Sequence, residues 1–398
     1  MKGFFGNLFG KQPEPEKNEK RLEPPKRDVP KRAESELYKK GDVIGGKYEV
    51  LGSLGKGGFG LVYLVYTRDV GEVCALKTFR DELINNVASR EAFKKEASLW
   101  INLKSHPCIL EAWWVDEVSG RLFVAMECIT PDEQQRVTLA DHLKGIRLEK
   151  VQVLEWAIQF CLGMEHAKAQ GIECHRDIKP PNILISPKRV LKISDFGLSL
   201  ATEAAWRVAN HKPDISTNGN TNGHQSLHLI QNEGKQICGT PGYIAPEILR
   251  GAGASVRSDI YSFGLVLWQM TSGSPTPPFM PKWPGRMDAF LAEIYRLQTT
   301  SAAPPVENQI DEIIARCLKP APEARYRNFG ELCNALEPLL LKQTGRKIEI
   351  RELEHGKGTA LNNRAYSFAA LGRSAEAKKC YEEVIVYFDK VLAKNPKD

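Results

Sequence analysis

Four short segments along the chain hold residue types that could move a phosphoryl group. LGKGGFGLV, residues 54–62, sets Gly55, Gly57 and Gly60 at GxGxxG spacing, with Val62 two residues beyond. Glycines let backbone approach bound phosphates closely. This segment leads into the strand-like LVYLVY and not into the helix that a dinucleotide-binding turn requires. Taken alone it suits either a lid over a nucleotide or an ordinary glycine hairpin. Lys77 follows in CALKTF, between Leu76 and Thr78. An ammonium emerging from a strand beneath such a lid can pair with two adjacent phosphates. Glu96 is the natural anionic partner to hold it there. CHRDIKPPN supplies His175, Arg176, Asp177, Lys179 and Asn182, and DFG supplies Asp195, Phe196 and Gly197. Phosphoryl transfer to a hydroxyl needs a carboxylate on the acceptor side, oxygen ligands for Mg²⁺ and a cation for the moving charge. Asp177 suits the first task, Asn182 and Asp195 the second, and Lys179 the third. A structural reading, a loop carrying an Arg–Asp salt bridge, has to account for both clusters and the glycine–lysine pair in one chain order.

These residues need elements to carry them. Residues 48–54, 61–66 and 73–79 alternate or run apolar in short lengths bounded by turn signals, which predicts consecutive antiparallel strands, and the short apolar runs 109–116 and 121–128 read as two further strands. Residues 87–104 predict a helix, with Val87, Phe93, Ala97, Leu99, Trp100, Ile101 and Leu103 on a broad apolar side and Glu96 among them. After residue 135 the pattern reverses. Helices are expected over 149–169, 258–272, 287–298, 307–319 and 328–342, the first with Val151, Leu154, Ile158, Cys161, Leu162 and His166 near one face. A strand-rich block followed by a helix-rich block makes a two-lobed α+β protein. The cleft between the lobes is where the chemistry is expected.

Composition supports this and narrows the class. The chain has 398 residues, 42% hydrophobic and 26% charged, enough for two or three ordinary domains with a buried core. A net charge of +6 makes neither nucleic acid nor an anionic membrane an obligatory partner. Nine cysteines without a CxxC pair argue against a disulfide scaffold or zinc knuckle and for a reducing, cytoplasmic setting. No apolar run is long enough to span a membrane. Residues 1–46 read as a flexible leader rich in proline and basic residues. Phe4, Phe5, Leu8 and Phe9 at its start are either a frayed sticky tip or a membrane or partner contact. Residues 205–236, crowded with Asn, Ser, Thr and Gly, lack any sustained apolar period and are expected to be disordered.

In this order the motifs resemble the eukaryotic-like serine/threonine protein kinase family over residues 47–341. The resemblance implies a two-lobed kinase fold, with a small antiparallel sheet lobe over 47–129 and a larger helical lobe over 137–341. It implies ATP and Mg²⁺ as cofactors and protein substrates. Gly55, Gly57, Gly60 and Val62 then match the phosphate-covering loop. Lys77 and Glu96 match the pair whose closure marks an active state. Ala75, Met126 as gatekeeper, and Glu127 and Cys128 as hinge would line the adenine site. GTPGYIAPE, 239–247, resembles the segment ending the activation loop, with Thr240 touching Asp177 and Lys179. Glu247 is expected to pair with Arg325, and Asp259 in SDIYSFG to brace the catalytic loop alongside His175. HRDIKPPN is the serine/threonine form, so the acceptor is a Ser or Thr hydroxyl. Two departures stand out: the polar TPDEQQRV after the hinge, and the long insert where activating phosphates usually sit. Arg176 resembles the arginine that receives such a phosphate. Ser216, Thr217, Thr221 and Ser226 are acceptor candidates within the insert. An ATP-binding pseudokinase or signalling scaffold remains the alternative at this point.

Beyond a linker at 342–357, residues 358–398 form two helical patterns around Gly372. Ala365, Phe368, Leu371, Gly372, Ala377, Tyr381 and Asn395–Pro396 resemble a tetratricopeptide hairpin, although the second helix overshoots the usual unit of about 34 residues. A lone repeat cannot bury its own face. The hairpin is therefore expected to dock through Phe368, Leu371, Tyr381 and Val384, on the helical lobe, on another copy or on a partner protein. Docking within the chain is preferred.

Overall fold

The computed structural model describes residues 37–394 apart from 57–59, 80–93, 95–96, 145, 197–229, 233–234, 238–239, 307–308 and 350–356. Gly57, Glu96 and Gly197, the four candidate acceptors of the insert, and most of the leader therefore lie outside the described residues.

The small lobe is a six-stranded antiparallel sheet. Its strands are β1 (Val43–Ile44), β2 (Tyr48–Lys56), β3 (Gly60–Thr67), β4 (Glu72–Phe79), β5 (Ala112–Val118) and β6 (Arg121–Met126). The order β1-β2-β3-β4-β6-β5 leaves β5 on an edge. β-Branched and aromatic residues drive these strands. Tyr48, Tyr63, Val65 and Leu76 are buried. Residues 97–102 are helical (α1), and Ala97, Trp100 and Ile101 join Val115, Leu122, Val124 and Met126 in one core cluster. The strand expected from residue 109 starts at Ala112 instead. Pro107 cannot donate to a ladder, and the residues after it serve the other lobe: the Leu110 N–H donates to the Ile193 carbonyl at 2.9 Å.

The large lobe is built from α2 (Leu139–His142), α3 (Lys150–Ala169), α4 (Pro246–Leu249), α5 (Val256–Ser272), α6 (Met287–Thr300), α7 (Asp311–Cys317) and α8 (Phe329–Thr344). A small ladder, β7 (Ile183–Ile185) with β8 (Leu191–Ile193), accompanies them. A second, β9 (Ile230–Asn232) with β10 (Lys235–Ile237), lies except for Ile237 within the stretch expected to lack regular structure. α3 is not one-faced as the periodicity suggested. Val153, Trp156, Phe160 and Met164 are buried along with Leu154 and Ile158, because α3 runs through the lobe with neighbours on several sides. Phe160 stacks on Phe263 of α5 at 4.1 Å and meets Phe329 of α8 edge-on at 5.6 Å. α7 is shorter than the 307–319 pattern, and its first turn is tied down by Asp311, which accepts the Val306 N–H.

The chain closes with α9 (Lys357–Ala370) and α10 (Ser374–Lys394), a helical hairpin turning at Gly372, where φ is +74°. Its docking partner differs from the expected one. Among the described residues α9 packs chiefly along β5 of the small lobe, where the helical lobe was expected. An edge strand has unpaired backbone groups that a helix can cover, and the Ser367 hydroxyl accepts the Val115 N–H at 2.9 Å. Leu371 enters the small-lobe core. Phe368 packs inside the hairpin with Ala365, Ala377 and Cys380. Val384 is also buried, whereas Tyr381 stays 40% exposed.

Candidate active site

The site begins with the start of α5. Ser255 and Ser258 cap each other's backbone N–H groups, which fixes the first turn of the helix and with it Asp259. The Asp259 carboxylate accepts the N–H groups of His175 at 2.5 Å and Arg176 at 2.9 Å. Burial pushes the Asp259 carboxyl up, opposed by His175 and by these two bonds. His175 in turn accepts the Asp177 N–H on Nδ1 at 3.3 Å, so its Nε2–H donates to the Ser194 carbonyl at 2.8 Å. Its ring lies 4.9 Å from that of the buried Phe196. Arg176 and Asp195 both hold positive φ, +73° and +62°, in the region that non-glycine residues enter rarely and at functional sites in particular.

Around Asp177 the side chains converge from three segments. Asn182 Nδ2 donates to the Asp177 backbone carbonyl at 2.9 Å and to its Oδ2 at 2.8 Å. The Lys179 ammonium lies 2.9 Å from Oδ2 and donates to the Thr240 hydroxyl at 2.8 Å. That hydroxyl passes its own proton toward Asp177 Oδ1 at 3.2 Å. With both amide hydrogens of Asn182 committed to Asp177, its Oδ1 is left as an acceptor for a cation.

From the small lobe, Lys77 on β4 reaches Asp195, its Nζ 2.5 Å from Oδ1. Burial alone would raise the Asp195 carboxyl; the Lys77 ammonium, with Lys179 and His175 beyond it, outweighs this and holds it below the usual carboxylate range. Two oxygen donors, Asn182 Oδ1 and the Asp195 carboxylate, suit Mg²⁺. That ion prefers hard oxygen ligands and takes few from protein when phosphates supply the rest. Among the described residues no group of three or more His, Cys, Asp and Glu could hold a metal by itself.

The wall of the cleft expected to face adenine is apolar. Ala75 on β4 stands opposite Met126 at the end of β6, and both are buried. Val62 and Cys128 pack against the same cluster. The Glu127 N–H is taken by the Glu111 carbonyl at 2.9 Å, and its side chain pairs with Lys192 at 2.8 Å. Gly55 pairs with Val62 and Gly60 with Phe79 in the ladders of β3, which sets both ends of the glycine turn. Leu184 of β7 also reaches this cluster from the large lobe. It was not singled out from sequence, though its place two residues after Asn182 on an apolar strand marks it. Farther off, Arg325 forks onto both carboxylate oxygens of Glu247 at 2.7 and 2.8 Å, tying α4 to the segment before α8.

Comparison with known proteins shows the family. A family model described as the protein kinase domain matches residues 48–335. A probable serine/threonine-protein kinase of Clostridium perfringens is 28% identical over 306 residues, 75% of this chain and 39% of its own length. Serine/threonine-protein kinase PknD of Chlamydia felis is 29% identical over 73% of this chain and 31% of its own. The chain thus spans about a third of the length of these relatives. The crystal structure of the Mycobacterium tuberculosis PknI kinase domain superposes with a TM-score of 0.50 at 22% identity, covering 76% of this chain and 99% of that one.

Proposed function

The chain belongs to the protein kinase family, and from that premise we propose that it transfers the γ-phosphate of ATP to Ser or Thr hydroxyls of proteins. The observation that carries this reading is the closed set of contacts from Lys179 through Thr240 to Asp177, with Asn182 holding the other carboxylate oxygen. It keeps a carboxylate at a fixed angle beside a cation, which is what orienting an incoming hydroxyl and accepting its proton requires. Asp177 is the acceptor-side base, and Lys179 offsets charge on the moving phosphoryl group. Lys77 anchors the α- and β-phosphates, with Glu96 as its expected second partner. The Lys77–Asp195 contact then opens to admit the nucleotide between them. Asn182 Oδ1 and Asp195 would hold Mg²⁺, which supplies neutralising charge to phosphate oxygens when bound. Val62, Ala75, Met126 and Leu184 enclose the base, and the hinge backbone at Glu127–Cys128 reads its edge. Thr240 also favours serine/threonine substrates, as do the names of the curated relatives.

In this reading residues 47–341 are the catalytic unit, and 358–398 a single tetratricopeptide-type hairpin appended to it, with Gly372 at its turn. Asp177→Asn in the full chain is the test. Transfer from ATP to a panel of Ser/Thr proteins should fall by roughly 10²–10⁴-fold with the melting temperature preserved. A wild type that labels neither itself nor the panel, or an Asp177→Asn variant at full rate, overturns the assignment.

A further inference from the structure

The hairpin contact is more specific than a cap requires. Leu371, 5% exposed, lies in the cluster that contains Ala97, Trp100 and Ile101 of α1, Val115 of β5, and Ala75 and Met126 of the nucleotide cleft. In sequence, Ala97 directly follows Glu96, the expected partner of Lys77. The same β4–β6 ladder that sets Ala75 against Met126 sets Lys77 against Val124. One turn earlier on α9, Ser367 holds the Val115 N–H while donating to the Asn363 carbonyl at 2.7 Å.

A polar latch adjoins these contacts. Asp116, on the edge strand, receives the Lys47 ammonium at 3.1 Å, the Tyr48 hydroxyl at 2.8 Å and the Tyr366 hydroxyl of α9 at 3.2 Å. Lys47 sits over the rings of Tyr366, Tyr48 and Trp114 at 4.8, 5.1 and 5.7 Å. Burial disfavours its charge, but Asp116 and Tyr366 more than compensate, and its pKa is raised. The latch joins the first long strand, the edge strand and the C-terminal helix through one shared carboxylate. The hairpin's own core of Ala365, Phe368, Ala377 and Cys380 is small, so its order depends on this surface.

We propose that the C-terminal hairpin is a positioning element of the active centre, with Leu371 and Ser367 setting α1 and the β5 edge in the arrangement from which Lys77 and the nucleotide cleft work. The proposal rests on the kinase reading above. Coupling of this kind travels through packed side chains, and here the path from Leu371 to Ala75 and Met126 is a single contiguous cluster.

The test uses the full chain. Leu371→Ala, Leu371→Met and Ser367→Ala are compared with Leu340→Ala, a fully buried position of α8 in the large-lobe core. Three quantities are read well below melting: kcat and KM for ATP, peptide-resolved amide hydrogen exchange over residues 97–103, and the rise in melting temperature on adding Mg²⁺–ATP. Leu371→Ala should lower kcat about tenfold, as a coupling loss of this kind would, and speed exchange over 97–103. Leu371→Met, which nearly conserves volume, should recover kcat to within about twofold. Leu340→Ala should lower the melting temperature while leaving kcat and exchange over 97–103 as in the wild type. If Leu371→Ala fails to fold, Ser367→Ala must show the same pattern, with kcat lowered about threefold. Unchanged kcat or unchanged exchange over 97–103, with only a lower melting temperature, makes the hairpin a structural cap and overturns the proposal. A wild type without transferase activity would defeat the kinase reading alone; exchange and the nucleotide-induced stabilisation would then decide this one.

Discussion

Two ion pairs join segments far apart in the chain, and they are built to opposite ends. Arg325 spends all its donors. Nε goes to the Lys319 carbonyl, Nη1 to Glu247 and the Arg257 carbonyl, Nη2 to Glu247 and the Pro320 carbonyl. Its side chain is fully buried, and the guanidinium lies 4.7 Å from the Tyr261 ring centre. Five N–H groups in a planar fork meet five oxygens, so nothing is left to bind anything else. Lys77 and Asp195 leave their sites largely unused. Among the described residues the Lys77 ammonium donates only to Asp195, and the Asp195 side chain is 29% exposed. An ammonium has three donors and a carboxylate about four lone-pair sites, so this pair has capacity to spare for phosphate and metal. A saturated pair holds a structure together; an unsaturated one keeps places for a ligand.

The largest effect expected from this contrast is on turnover. Lys77→Met should lower kcat by about 10²–10³-fold at saturating ATP, since a charged contact to the reacting nucleotide is lost. The melting temperature should move less than for a fully buried pair, because the Asp195 side chain is 29% exposed. Steady-state kinetics beside a melting curve separates the two, and a large loss of stability with near-normal kcat would reverse the assignment of roles. Next comes Arg325→Ala. Leaving Glu247 partly buried without its cation, together with three unmatched carbonyls, should cost about 3–5 kcal/mol, a fall in melting temperature on the order of 10 °C. Lysine should not rescue it, since one ammonium cannot reproduce the fork. Chemical denaturation of Arg325→Ala and Arg325→Lys checks both statements, and a stable lysine variant would show that the fork is dispensable.

What could be read in advance follows the range of the interactions. Asp177, Lys179 and Asn182 sit within six consecutive residues, so the loop that carries them also brings them together, and residue type plus spacing was enough. Motif order put Lys77 and Asp195 in one site, but the partner expected for Lys77 was Glu96, and its contact with Asp195 came only from the structure; Glu247 with Arg325 came only through family resemblance, because nothing in PEAR itself announces a buried arginine. The hairpin was harder. Helical periodicity marks an apolar face but not the surface it meets, so Leu371 was identified as a docking residue while the small lobe was not identified as its target. Tyr381 misled for the same reason: it shares a helix with the buried Cys380 and Val384 but stays 40% exposed. The Ser367–Val115 bond links positions 252 apart. No local pattern encodes a contact at that separation, and a serine inside a helix ordinarily bonds back to its own backbone, as Ser367 also does.

Acid offers a smaller effect that sharpens the contrast, because it tests which polar group gives way first. Between the lobes His106 stacks on His166 at 4.6 Å, and its Nδ1 accepts the Cys108 N–H at 3.2 Å. That bond needs an unprotonated Nδ1. Burial, reinforced by His166 and Lys192, pushes His106 from its ordinary 6.5 down to about 4. Between those values the unfolded chain binds the extra proton and the folded chain does not, so stability rises with pH across the window. The contribution is fully present above about 6.5 and is lost as pH falls toward 4. Asp195, held below the usual carboxylate range, keeps its charge through this interval. His106 is only half-buried, so the expected loss is about 1 kcal/mol after allowance for solvent, or about 2–4 °C in melting temperature. His106→Asn retains an acceptor for the Cys108 N–H without a titrating ring. Its melting temperature should therefore fall less than that of the wild type between pH 7 and 4.5. Parallel slopes in the two proteins would place the acid-sensitive group elsewhere and return attention to the carboxylates of the cleft.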